Sequence, residues 1–219
     1  MKKWIFTIAV VLITLVAVNA QKMVYDENAQ KREIKSFHAL ETSSGIEVII
    51  SKGDKEELAV TVGDKKYLDE VRTVVENGVL KISRKSNWSV WKNWKNWKVK
   101  VYVSYSRLDE IKATSGGSIN GTDLKLDKLF AHMNSGGIIN LSGTVESLNI
   151  DGNSGAQFKG FSLQTVNCKV DVSSGAGIQI SVSKEISAKA NSGGFVRFKG
   201  EGLIRDINVN SGGSVKRQS

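Results

Sequence analysis

The sequence predicts an all-β protein: a single-stranded right-handed parallel β-helix of about 19–20 residues per turn, entered through a β-rich N-terminal part. Three observations predict it. A Ser-Gly step recurs six times at near-equal spacing, apolar and polar residues alternate on both sides of each step, and the 219 residues include no proline. Proline lacks the N–H that a strand ladder uses, so its absence suits stacked strands.

Residues 1–20 read as a secretory signal peptide: Lys2 and Lys3, an apolar run from Trp4 to Val18, and a small-x-small end at Val18-Asn19-Ala20. The run is too short for a membrane span, which needs about 20 residues. The chain is therefore expected to be exported, to the periplasm, the outer surface or the medium, and not to span a membrane once the signal is cleaved. Formal charge is +9, from 31 Lys and Arg against 22 Asp and Glu, or +7 without the two signal lysines. A basic exported protein points to glycan or an anionic envelope component as partner rather than nucleic acid. The single cysteine, Cys168, precludes an internal disulfide.

Residues 21–35 read as a linker and residues 36–110 as the β-rich N-terminal part. Within it, Ser44-Gly45 repeats the corner, with Leu40 four before and Val48 four after. Leu58/Val60/Val62 and Trp97/Val99/Val101/Val103 alternate as strands, and Glu76-Asn77-Gly78 is a hairpin signal. Between them lies "SNWSVWKNWKNWK", where Trp88, Trp91, Trp94 and Trp97 stand three residues apart. Period three fits neither a strand nor a packed helix, so some of these indoles should be exposed. From Lys81 to Lys100 there are seven Lys or Arg and no acid. Indoles stack on sugar rings or sit at lipid headgroups, and lysines meet anions. Trp88, Trp91, Trp94, Lys92 and Lys95 are the candidate ligand-binding residues; the plainer reading makes the indoles a cap or an interface with another chain.

Residues 111–219 carry the repeats. The corner residues are Ser115-Gly116, Ser135-Gly136, Ser154-Gly155, Ser174-Gly175, Ser192-Gly193 and Ser211-Gly212, stepping by 20, 19, 20, 18 and 19. One turn per repeat is the consequence. Four positions past each Ser stand Ile119, Ile139, Phe158, Ile178, Val196 and Val215; four before stand Ile111, Ala131, Ile150, Val170, Ala188 and Ile207. These columns should line the core, with glycine and asparagine turning the corner and a more variable return closing each turn. The column before the Ser (Thr114, Asn134, Asn153, Ser173, Asn191, Asn210) reads as a polar ladder bonding turn to turn.

The SGG/SGA series, "GSIN" at Gly117 to Asn120, "GIIN" at Gly137 to Asn140 and the entry "SFHALETSSGIEVIISKGD" from Ser36 to Asp54 together resemble the autotransporter-adhesin head, or GIN, domain family of exported Bacteroidetes proteins. The resemblance covers nearly the whole chain after the signal, and implies a right-handed β-helix. It implies nothing about the Trp-rich segment, which departs from the family pattern.

No catalytic or metal-binding constellation is legible, and no cofactor is expected. His38 and His132 are far apart in sequence, and Cys168 shares an apolar column with Leu129, Leu148 and Ile186, which makes it a buried, inert thiol. Asp151 and Asp171 should be stacked neighbours beside lysines. They support the enzymatic alternative, a polysaccharide-active β-helix, less well than a solvated, self-neutralising stripe. The favoured reading is a non-enzymatic, adhesin-like binding module; a self-associating scaffold stacked through its last turn is the other alternative.

Overall fold

The computed structural model describes residues 29–85 and 98–218. Its strands are β1 (Gln30–Arg32), β2 (Ala39–Thr42), β3 (Glu47–Lys52), β4 (Glu57–Val62), β5 (Val71–Glu76), β6 (Val79–Arg84), β7 (Val99–Tyr105) and β8 (Glu110–Ala113). Then come β9 (Ser118–Met133), β10 (Ile138–Gly152), β11 (Gln157–Val172), β12 (Gly177–Ala190), β13 (Phe195–Lys199), β14 (Leu203–Val209) and β15 (Ser214–Arg217). They coil into a parallel β-solenoid of about 5 turns. The returns between corners are themselves laddered: β9, β10, β11 and β12 each run on through them, with register shifts such as that between Asn140 and Gly143.

Each turn is set by its corner. Successive left-handed residues, Ser135 at φ 50 and Gly136 at φ 72, form a type I′ turn closed by the Gly137 N–H donating to the Asn134 carbonyl at 2.9 Å. The same pair of positive φ values recurs at Ser44-Gly45 and at the other five repeats. A second bond crosses to the next turn: the Gly136 N–H donates to the Ser154 carbonyl at 3.1 Å, and the Gly155 N–H to Ser174 at 3.0 Å. Left-handed backbone costs a non-glycine residue roughly 1–2 kcal/mol. It is serine, not asparagine, that adopts it here. Asparagine precedes it, and the Asn134 and Asn153 Oδ1 atoms each accept the following serine N–H at 2.7 Å. The expected polar ladder is corrected accordingly, because these amides bond within their own corner. The amides that do bond between turns lie five positions past the serine, where Asn140 Nδ2 donates to Asn120 Oδ1 at 3.5 Å and Asn120 Nδ2 to Glu47 Oε1 at 3.2 Å.

Two long stacks of side chains run through the core. One runs Val101, Val48, Ile119, Ile139, Phe158, Ile178, Val196, Val215, each the lateral partner of the next. The other runs Leu80, Leu40, Ile111, Ala131, Ile150, Val170, Ala188, Ile207. Both columns counted from the serines are therefore present, and they extend to the first corner. Nearly all of these residues are buried; Ile207, on the last turn, is 38% exposed.

The two ends differ. At the first, the ladder switches from parallel to antiparallel: β4 lies antiparallel on β7, β1 on β4, and β5 on β6 through the Asn77-Gly78 hairpin turn (φ 51 and 75). Arg32 ties both outer strands together, donating to the Val71 carbonyl at 2.6 Å and the Leu68 carbonyl at 2.7 Å. At the last turn, β14 pairs with β12 alone among the described residues. A side-chain cluster holds the connection into β8: His38 Nδ1 and Arg107 Nη2 lie 2.9 and 2.8 Å from the two oxygens of Asp109.

Two outcomes follow from this geometry. Gly137 has ordinary φ, but a Cβ there would run into the Ala113 carbonyl, whereas a Cβ at Gly136 meets nothing within 4 Å and suffers only the positive φ. Gly136→Ala should cost about 1–2 kcal/mol, and Gly137→Ala about 3 kcal/mol or more, in denaturant titrations; the reverse order would show that close stacking is not the constraint. For Asp109, burial pushes the carboxyl up, yet the hydrogen bonds from His38 and Arg107 outweigh it and leave the pKa below its usual value. A lowered carboxyl stabilises the fold above the unfolded value of about 3.9 and loses that contribution as pH falls through the folded one. Asp109→Asn should therefore lower the melting temperature at pH 7 and make no difference in strong acid.

Candidate binding face

Outward-pointing residues between the core columns give the solenoid two sheet faces of unlike charge. On the first, one file reads Tyr102, Ile49, Asn120, Asn140, Lys159, Gln179, Arg197, Lys216. Beside it runs Lys100, Glu47, Ser118, Ile138, Gln157, Gly177, Phe195, Ser214. Lys100, Lys159, Arg197 and Lys216 thus stand against one acid, Glu47, and that acid is engaged by Lys100 at 3.7 Å and by Asn120. The Arg197 guanidinium lies 5.3 Å from the Phe195 ring centre, and the Lys199 ammonium 5.0 Å from that of Phe161.

Two recesses open on this face. One is lined by Asn120, Asn140, Lys159, Phe161 and Gln179. The other is lined by Glu47, Thr61, Gly63, Lys98, Lys100 and Tyr102, where the chain returns from residues 86–97 into β7. The Gly63 N–H donates to the Lys98 carbonyl at 2.9 Å, which fixes the root of that segment.

The second face is balanced. Its file runs Lys81, Glu41, Lys112, His132, Asp151, Asp171, Lys189, Asn208, with Glu110, Lys169 and Asp206 in the file alongside. Lys112 pairs with Glu41 at 3.3 Å. Asp151 and Asp171 are lateral partners, and both are exposed. Among the described residues no group of three His, Cys, Asp or Glu is placed to hold a metal ion. Cys168 is buried in its apolar column, and burial pushes its thiol far up.

Trp88, Trp91, Trp94, Lys92 and Lys95 lie outside the described residues, as do Trp97 and the signal sequence. The residues that sequence reasoning passed over are the outward file Asn120, Asn140, Lys159, Gln179, Arg197 and Lys216. The signal was available, since each stands five positions past a corner serine. Apolar columns announce themselves by uniformity, whereas an outward column of mixed polar residues does not.

Solved structures share this architecture. A putative adhesin from Bacteroides fragilis NCTC 9343 matches with TM-score 0.71 and 16% identity, over 87% of this chain and 96% of that one. A putative adhesin from Parabacteroides merdae ATCC 43184 matches with TM-score 0.50 and 17% identity, over 88% and 96%. A putative lipid binding protein from Parabacteroides distasonis ATCC 8503 matches with TM-score 0.53 and 20% identity, over 88% and 96%. At these identities the likeness is one of fold. No curated protein matches the sequence. The family model "Putative auto-transporter adhesin, head GIN domain" matches residues 36–202, most of the chain, and the protein belongs to that family.

Proposed function

We propose that this protein is an exported, non-enzymatic, adhesin-like binding module of the cell envelope or surface. It holds glycan or an anionic envelope component through the segment carrying Trp88, Trp91, Trp94, Lys92 and Lys95. The observation that carries the reading is where that segment is rooted: its return, Lys98, lines an open recess with Lys100 and Tyr102, on the face where cations outnumber acids. Indole faces cover the apolar side of a sugar ring while lysine ammonium groups meet carboxylate, sulfate or phosphate. A lipid headgroup belongs among the anionic components considered, since one protein of this fold is described as lipid binding.

A second reading, self-association, has its own observation. Among the described residues, Leu203, Ile204, Ile207 and Val209 of β14 are 63, 51, 38 and 42% exposed, on a strand paired along one edge only. Such an edge is a template for another chain.

On a glycan and envelope-lipid array, changing Trp88, Trp91 and Trp94 together to Ala should weaken binding by at least about a hundredfold with the fold retained; undiminished binding by the folded variant would overturn the adhesive-segment reading. Self-association is read from sedimentation: mass should rise with concentration, and Ile204→Lys with Ile207→Lys should abolish the rise. A mass independent of concentration removes the scaffold reading.

A further inference from the structure

Asn120, Asn140, Lys159, Gln179, Arg197 and Lys216 form one straight file along the solenoid axis, one residue per turn. Adjacent rungs lie about 4.8 Å apart. A sugar residue in an extended polysaccharide advances by a closely similar distance, so each rung can meet one residue of a chain laid along the axis. The file is rich in the groups that such a chain recognises: amides for hydroxyls, and ammonium and guanidinium for acidic substituents.

The charges in the file are unanswered. Arg197 and Lys216 occupy adjacent rungs, where like charges repel. Neither they nor Lys159 form an ion pair with any described residue. On the opposite face lysines share their file with acids, so the excess belongs to this face and is not a uniform consequence of net charge. Arg197 is steadied over Phe195, and Phe161 walls the recess that Lys159 and the amides share. A lipid bilayer would call for projecting apolar groups, whereas this file sets three amides and three cations at a fixed repeat. We infer that the file is a binding site for a linear anionic glycan, bearing carboxylate or sulfate groups and lying along the axis. The site is distinct from residues 86–97 and rests on the reading of the chain as an envelope binding module.

Calorimetry on the full chain tests it, with polygalacturonate and heparin as anionic glycans, dextran as the neutral one, and phosphatidylglycerol vesicles as an anionic surface that is not a glycan. The wild type should bind an anionic glycan and not dextran, and affinity for oligogalacturonates should rise with length up to about six residues, one per rung. Lys159→Gln, Arg197→Gln and Lys216→Gln together should weaken binding by at least about tenfold without moving the unfolding midpoint. The same loss of charge at Lys112, Lys169 and Lys189 should change affinity by less than about twofold. Equal weakening by the two triple variants, vesicle binding as tight as glycan binding, or no binding to either anionic glycan would overturn the inference. If the Trp88, Trp91 and Trp94 variant alone loses binding, the adhesive segment stands and this site falls. If the cation variant alone loses it, this site stands and the segment falls.

Discussion

Everything in this molecule depends on the approach of one Ser-Gly corner to the next. The glycine N–H of each corner donates to the serine carbonyl of the following turn at 3.0–3.2 Å along the stack from Gly45 to Gly193. That bond is available only because both corner residues are left-handed, which turns the glycine N–H out of its own turn and along the axis. Serine carries a conformational cost there, and the cost recurs at every repeat. The closing bond of the type I′ turn, the bond to the next turn and, at Asn134 and Asn153, a side-chain acceptor offset it together. A corner outside the stack has fewer of these bonds, so the motif is cooperative by construction and belongs to arrays.

Once the corners are in register, the side chains have no freedom over which neighbours they meet. Phe158 sits between Ile139 and Ile178 because the corners on either side fix it there. The same rule acts on the outside. Any residue type repeated five positions past the serine becomes a line of chemistry parallel to the axis, whether or not its members touch. Asn120 and Asn140 do touch, and Asn120 reaches on to Glu47 in the neighbouring file, so they knit the first turns together. Among the described residues, Lys159, Gln179, Arg197 and Lys216 form no such bonds, and the difference separates the cross-linked end of the file from the end that carries the proposed site.

How much of this was legible in the sequence follows from which forces repeat. The inward columns were, because burial admits a narrow set of residue types and the set recurs at each turn. So were the stacking of Asp151 on Asp171 and the apolar column of Cys168, since both follow from the same counting. The corner itself was only half legible. Composition marks glycine and asparagine as left-handed residues, but here a hydrogen-bonded turn places serine in that region and uses asparagine as the acceptor before it. The switch to antiparallel pairing at the first end left little trace beyond the Asn77-Gly78 hairpin, and the Arg32 clasp joins residues nearly forty positions apart with no pattern to announce it. The tryptophans stand outside the repeat, so counting has no purchase on them.

The geometry also bears on the kind of chemistry such a surface supports. Tuning a side chain for acid-base work requires burial or a converging set of charges. Along the outward files residues are spaced by the rung distance, and Asp151 and Asp171, the stacked carboxylates of the balanced face, are exposed. Among the described residues, the two groups whose pKa is pushed furthest, Tyr105 and Cys168, are moved by burial in the apolar core. What a flat ladder does supply is repetition, and weak contacts repeated at fixed spacing add along a periodic ligand. A polymer with a matching repeat gains from every turn, while a small molecule gains from one. On the binding reading proposed above, the number of turns sets affinity and the outward column sets which polymer is held, and both can change without disturbing the corners and core columns that make the fold.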